Sequence, residues 1–446
     1  TIAAWSFLGA GIVLGAWWSY EVLGWGGYWA WDPVENAALL PWLAATAFLH
    51  SVMVQERRRL LRLWNHALVI LTFLLTLFGT FLTRSGILGS VHDFTQSLIG
   101  PIFLSFMALV LTFSIAVLVA RRREVRDGGT LPAALSRETI FLLNNVVLLA
   151  IAATVFIGTT FPLLAEAATG VKLTVGPPYF NRLIVPLGLL LLLLMATATL
   201  LPWGPLPRGA LRRFFWPAIG AAGAAGMLGL AGVRGPTLAA LAVIAFTALA
   251  QLAEFHRGAQ ALMRAERRPY PAALAALFGI NRRRYAGYLA HLGLALALAG
   301  VATSSAYRQE SDHLARRGES FRVPGYVLRY DGPLVARRPD RLVVAAQVSV
   351  LAADALEAAP PGAPAGRRIG IMRPAEHLYP QQRSPIPTPA VRSSWRGDLY
   401  LVLLGVEQDG SAVLKVISSP LVAWIWSGGL LMALAGLVSI WPTRRR

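Results

Sequence analysis

The chain has 446 residues, of which 56% are apolar and only 14% charged, whereas soluble domains carry about a quarter charged. An ordinary soluble enzyme is excluded, and the net charge of +19 falls almost entirely in connections, so a nucleic-acid surface is not indicated. With no cysteine, the chain has no thiolate metal site, no Cys nucleophile and no disulfide framework.

The first residue is Thr1 rather than Met, and an apolar run follows almost at once. No signal peptide is in view, so the sequence reads as truncated at its N-terminus. Apolar runs of membrane length recur along the chain. They predict ten spans: Ile2–Ser19, Asn36–Gln55, His66–Leu82, Leu98–Ala120, Thr139–Thr160, Asn181–Leu201, Phe215–Gly232, Pro236–Phe255, Tyr285–Ala302 and Pro420–Trp441. The fold class is therefore an all-α polytopic membrane protein with one small β-rich domain. Its predicted parts are a helical region 1–302 carrying a Trp-rich loop at 20–36, the soluble domain 303–419, and a last span with a basic tail, 420–446.

Alternate connections are strongly basic. One set holds Arg57, Arg58, Arg59 and Arg62; Arg121, Arg122, Arg123, Arg126 and Arg137; Arg208, Arg212 and Arg213; seven arginines from Arg257 to Arg284; and Arg444, Arg445 and Arg446. The other short connections hold Arg84, Lys172, Arg182 and Arg234. With 22 basic residues against four, the first set is assigned to the cytoplasm. The Trp-rich loop, the loop around His92 and segment 303–419 then face outward. In that segment Arg341–Leu351, Arg368–Met372 and Asp398–Val406 predict strands. The stretch Gln381–Ala390, with three prolines, is expected to be an extended outer loop unable to hold a sheet's ladder.

Between the first two spans, Trp25 to Asn36 reads WGGYWAWDPVEN. Three tryptophans and a tyrosine in seven positions, beside two glycines, suit a floor for a large flat ligand such as a porphyrin. An interfacial aromatic belt is the competing reading, but belts disperse over many helix ends. Asp32 as N-cap, Pro33 at the first helical position and Glu35 at the third form a helix-start signature whatever the loop does.

Topology sorts the seven histidines. His50 lies seven residues before Arg57, and His291 seven residues after Arg284. Counted from one membrane edge, both sit about 10 Å deep on different helices. Two imidazoles at one depth are what a haem ligated on both faces requires. Each could instead bond a neighbouring carbonyl as a packing residue. His92 lies in an outward connection on the same face as the Trp loop, with Arg84 nearby as a possible partner for a carboxylate. His66 and His256 mark helix ends, and His313 and His377 belong to the soluble domain. No Ser-His-Asp or paired-carboxylate arrangement stands out, so no catalytic side chain is assigned.

Trp25, Gly26, Trp29, Trp31, Asp32, Pro33 and Glu35 resemble the tryptophan-rich haem-handling signature WGxWWxWDPxE of cytochrome c biogenesis proteins, with Tyr28 where the pattern has Trp. The AHLG around His291, the TRSG before His92 and the PWL run ending in His50 are most similar to the CcmF-type cytochrome c haem lyase subunits, over essentially the whole chain. The resemblance implies a bacterial cytoplasmic (inner) membrane protein that helps join haem vinyl groups to the thiols of a CXXCH motif, its active site facing the periplasm. It implies an intramembrane haem b on His50 and His291. It also implies haem b as substrate on Trp25, Gly26, Trp29 and Trp31, with Asp32 and Arg84 beside it and His92 as an axial ligand. Implied partners are a membrane-anchored haem chaperone, apocytochrome c, other maturation subunits, membrane lipids and a quinol donor, and no nucleic acid. The family's second outward histidine precedes the Trp loop; no histidine precedes Trp25 here, and it is expected upstream of Thr1. A haem transporter without ligation chemistry and a haem-bearing electron-transfer protein remain alternatives.

Overall fold

The structure, a computed structural model, describes residues 1–85, 99–125, 133–352, 367–381 and 384–442. Helices α1 (Ile2–Val22), α2 (Pro33–Arg58), α3 (Arg62–Ser85), α4 (Gly100–Ala120), α5 (Arg137–Thr169) and α6 (Pro177–Leu200) come first. They are followed by α7 (Phe215–Leu230), α8 (Gly235–Glu266), α9 (Tyr270–Ile280), α10 (Arg282–Tyr307) and, after the strands, α11 (Val422–Ile440). Among the described residues nine of these are long and apolar enough to cross a membrane, so the protein is a polytopic helical membrane protein.

The predicted span Phe215–Gly232 is the exception. It forms α7, with only 16 residues and a length of about 24 Å, less than the roughly 30 Å hydrocarbon core. A 3-10 turn, Ala210–Phe214, precedes it, and Gly232 and Gly235, both at positive φ, turn the chain into α8. The 11-residue helix α9 was not expected. It lies inside the arginine-rich stretch, where its apolar run YPAALAALFGI is too short to register as a span.

The chain divides into two compact units. The helical unit comprises Thr1–Ile12, Trp29–Ala295 and Gly428–Arg446. Its core is built on α2, where Ala37, Leu40, Ala44 and Ala47 pack with Leu68, Leu75 and Phe78 of α3 and with Leu148, Ile151 and Val155 of α5. Small residues on one face let helix backbones approach closely. Gly79 of α3 shows how closely: a Cβ there would lie 3.2 Å from the Ala37 carbonyl oxygen. At the arginine-rich helix ends two buried carboxylates are met by arginines. Arg58 bonds the buried Glu138 at 2.7 Å, and the Gly204 N–H donates to the same carboxylate. Glu254, also buried, is held by Arg257 and Arg284. A buried carboxylate is tolerable only when its oxygens are met in this way.

The second unit comprises Val13–Tyr28 and Leu296–Ser427. Its strands are β1 (Gln309–Ala315), β2 (Ser320–Val323), β3 (Tyr326–Arg337), β4 (Leu342–Ala352), β5 (Arg368–Met372), β6 (Ala375–Leu378), β7 (Ile386–Thr388), β8 (Ala390–Arg392), β9 (Gly397–Val406) and β10 (Ala412–Pro420). They form two antiparallel sheets, ordered β1-β10-β9-β8 and β2-β3-β4-β6-β7, with β5 also pairing β4. Strand β9 explains its unbroken apolar sequence by being buried on both faces. Leu399, Leu401 and Leu403 enter the core with Leu328, Val348 and Leu414, while Tyr400 and Val402 pack with Tyr20, Ile417, Val422 and Trp426.

The proline-rich stretch departs from expectation. It supplies β7, whose Pro387 stands opposite Glu376, and Ala390 opens β8. Both strands are sheet edges, where the missing proline N–H interrupts no ladder.

Candidate functional site

Within the helical unit, α2 and α10 bring His50 and His291 together. Their rings lie 6.1 Å apart between centroids, with planes 6° from parallel. His50 Nδ1 lies 2.8 Å from the Thr46 carbonyl oxygen. A carbonyl only accepts, so Nδ1 carries the proton and Nε2 is left as the lone-pair nitrogen. The bland role and the ligand role are thus compatible in one ring. Phe141 of α5 meets His50 edge-on at 5.7 Å. Near the pair, Trp5 donates to Thr46 Oγ1 at 2.8 Å and stacks on Trp42, with Leu49, Ala290, Leu294 and Met432 in the same cluster. His291 Nδ1 is buried without a partner among the described residues. Two imidazoles on opposite sides of one metal ion, each nitrogen about 2 Å from it, have centroids about 6 Å apart. The pair and its orphaned nitrogen fit a bis-histidine haem.

The Trp-rich loop divides between the units at Tyr28 and Trp29. In its second half the helix-start signature is present as read: Asp32 caps α2 by accepting the Val34 N–H at 2.9 Å, and Glu35 accepts the Ala30 and Asp32 N–H groups. Trp31 has φ +58°, a left-handed conformation that costs a residue with a Cβ about 1–2 kcal/mol. Several contacts hold it there. Its ring stacks on Phe180 at 5.0 Å and 9°, its Nε1 donates to Asn181 Oδ1 at 3.0 Å, and its carbonyl accepts from Asn36 Nδ2 at 2.9 Å. Trp29 stands perpendicular to Trp31, at 5.8 Å and 89°, and its Nε1 is a buried donor with no partner among the described residues. An orphaned N–H beside an aromatic corner suits a flat ligand bearing carboxylates.

The first half is held by the β-rich unit. Gly26, at φ +74°, gives its carbonyl oxygen to Arg308, and a Cβ on it would collide with Ile417. Gly27 lies beneath the ring of Trp25, whose Nε1 donates to Ser19 Oγ at 3.3 Å. The space the two glycines leave is therefore used by Ile417 and Trp25. Tyr28 bonds Ser304 Oγ at 2.9 Å through its hydroxyl and meets Trp426 edge-on. A Trp, as in the signature, has no hydroxyl to offer there.

Arg84 is exposed in the last turn of α3 and is engaged within the structure. His92 lies outside the described residues. His66 Nδ1 bonds the Arg62 carbonyl and His256 bonds the Tyr270 hydroxyl, in keeping with helix-end roles. His313 and His377 are half-buried in the β-rich unit, His313 stacked on Phe321 at 4.3 Å. Among the described residues there is no group of three or more His, Asp or Glu arranged to hold a metal ion. Sequence reasoning missed Phe180, Asn181 and Asn36. Only the contacts of Trp31 reveal them.

The family model Cytochrome C assembly protein matches residues 1–89 of this polytopic membrane protein. Over its full length the chain is 35% identical to the cytochrome c-type biogenesis protein CcmF of Pseudomonas aeruginosa and 33% identical to that of Escherichia coli K12, covering 65% of each. It also resembles a solved cytochrome c heme lyase CcmF, with a TM-score of 0.74 and 34% identity over 98% of this chain and 65% of that one. Over its whole length the chain is similar to these CcmF cytochrome c biogenesis proteins, and it spans just under two thirds of their length.

Proposed function

We propose that this chain is the haem-handling part of a cytochrome c haem lyase in a bacterial inner membrane, assisting thioether attachment of haem to apocytochrome c on the periplasmic side. The observation that carries the reading is the parallel pair His50 and His291 at 6.1 Å, on two helices whose basic ends lie seven residues away. These two residues would hold a haem b, which supplies one-electron redox chemistry when bound. Thr46 orients His50 through Nδ1 and fixes its tautomer. Trp25, Trp29 and Trp31, with His92 and Arg84, would hold the substrate haem, presented by a membrane-anchored haem chaperone alongside other maturation subunits. Thiol addition to a vinyl group places sulfur on one carbon and the thiol proton on the other, so it needs no nucleophile from the protein. The chain's contribution is orientation of the reactants. A quinol would serve as reductant.

The test is spectroscopic. Full-length chain purified from membranes should carry low-spin bis-imidazole absorption bands. Replacing either His50 or His291 with Ala should abolish them, leaving at most a high-spin species. Full bands in the doubly substituted protein would remove the pair from the haem and the reading with it.

A further inference from the structure

Among the described residues Trp31 has its backbone carbonyl, one ring face and its ring nitrogen all engaged, the carbonyl by Asn36 and the ring by Phe180 and Asn181 of α6. On the backbone side, Asn36 Nδ2 reaches the Trp31 carbonyl and, at 3.0 Å, Thr159 Oγ1 of α5. On the ring side, Phe180 covers one face and Asn181 takes the indole N–H. Phe180 is itself locked: it is 2% exposed, Tyr179 meets it edge-on at 5.1 Å, and a Cβ on Gly158 would come within 2.6 Å of both rings. The first turns of α6 thus hold the indole itself, while α5 bears on Trp31 through Thr159 and Asn36.

We infer that Phe180 and Asn181 are positioning residues for the haem platform: they hold Trp31 so that only the ring face away from Phe180 is available for stacking a porphyrin, with Trp29 at a right angle beside it. This rests on the reading of the loop as the substrate haem site. An indole free to rotate would lose conformational freedom on binding a flat ligand; one already clamped would not, so the clamp raises affinity without touching the ligand. Asn181 matters through the oxygen that accepts the Trp31 N–H, and Phe180 matters through its flat face.

The experiment titrates full-length protein in nanodiscs with ferric protoporphyrin IX and follows the Soret band, with melting temperature and monodispersity as checks on folding. Trp31→Ala, Asn181→Ala, Asn181→Asp, Phe180→Leu and the double variant Trp31→Ala/Asn181→Ala are compared. Loss of the hydrogen bond in Asn181→Ala, or of the flat face in Phe180→Leu, should weaken binding about three- to tenfold. Asn181→Asp keeps an acceptor oxygen and should bind within about twofold of wild type. The double variant should be no weaker than Trp31→Ala alone, because the clamp acts only through that indole. If Trp31→Ala binds like wild type, the platform reading fails and the inference goes with it. If Trp31→Ala weakens binding while Asn181→Ala and Phe180→Leu do not, the inference alone is overturned. It is also overturned if Asn181→Asp fails to restore affinity or if the double variant shows additive loss.

Discussion

The guanidinium of Arg308 donates to the carbonyl oxygen of Gly26, joining the residue after α10 to the first of the two adjacent glycines in the Trp-rich loop. Arg308 is itself bound to Glu310 at 2.8 Å, and Glu310 to Lys415 of β10 at 2.7 Å. Those two cations, Lys415 first, hold the Glu310 carboxyl below the usual range. The loop's turn is thus tied to a charged row on the β1–β10 pair.

Gly26→Ala meets two obstacles at once, a left-handed φ and the side chain of Ile417. The backbone alone should cost about 1–2 kcal/mol. Thermal unfolding should show this as a lowered midpoint. Adding Ile417→Ala should not restore it, since the strain of φ remains while a buried side chain is lost. Recovery of the midpoint in the double variant would place the whole effect in the collision.

Asp398, 2% exposed at the start of β9, has its pKa pushed up to about 6 by burial, against the opposing bonds from Ser393 Oγ and the Ser394 N–H. Its unfolded value is near 3.8. The folded state therefore holds the proton more tightly, and the stability this adds is full below about pH 4 and is lost as pH rises through about 6. The loss amounts to about 3 kcal/mol at most. Melting curves between pH 4.5 and 8 should show a falling trend that flattens in Asp398→Asn. An unchanged slope in that variant would assign the trend to other groups.

Whether α7 crosses the membrane decides the parity of everything after it. If its 16 residues span, with local thinning or tilt of the bilayer to suit, the arginines of 257–284 return to the side of Arg57–Arg62 and the β-rich unit lies opposite. If it does not, those charges change sides. The charge rule demands that it cross. The absence of native cysteine makes the check direct. Single cysteines at Arg234 and Ser394 should react with an impermeant thiol reagent in intact spheroplasts, and one at Arg208 only after lysis. Labelling of positions 208 and 234 from the same side would make α7 a re-entrant helix.

If His92 is the axial ligand proposed for the substrate haem, His92→Gly vacates that position but leaves the aromatic corner of Trp29 and Trp31. Added imidazole can fill a vacated axial position, whereas nothing small replaces a ring face worth about 1–3 kcal/mol. In a cytochrome c maturation assay imidazole should partly restore His92→Gly and not Trp31→Ala. Rescue of both or of neither would remove His92 as the ligand.

What was legible in the sequence followed from periodicity and from fixed offsets. The matched seven-residue distances of His50 and His291 from their arginines anticipated a meeting that the rings make at 6.1 Å. The apolar run of β9 and the Asp-Pro-x-Glu helix start were equally readable, because each is a local rule. Phe180 and Asn181 were not. In the run PPYFNR they look like any aromatic and polar pair at a membrane edge, and only the packing of α5 against α6 and the loop gives them a purpose. Pro387 misled for a related reason: a proline forbids a central strand, and edge position is a property of the sheet, not of the segment.

Helix α2 begins at the loop and carries His50 within it. Asn36, which grips the Trp31 carbonyl, and His50 are 14 residues apart, about 21 Å along the axis and close to four whole turns. The helix is therefore a ruler with an angular scale as well as a length. Repacking of side chains leaves both readings intact, whereas a single inserted residue between the two would turn His50 by about 100° away from His291 while leaving the loop in place. The register of α2, more than any one contact along it, keeps the two ends of this protein in phase.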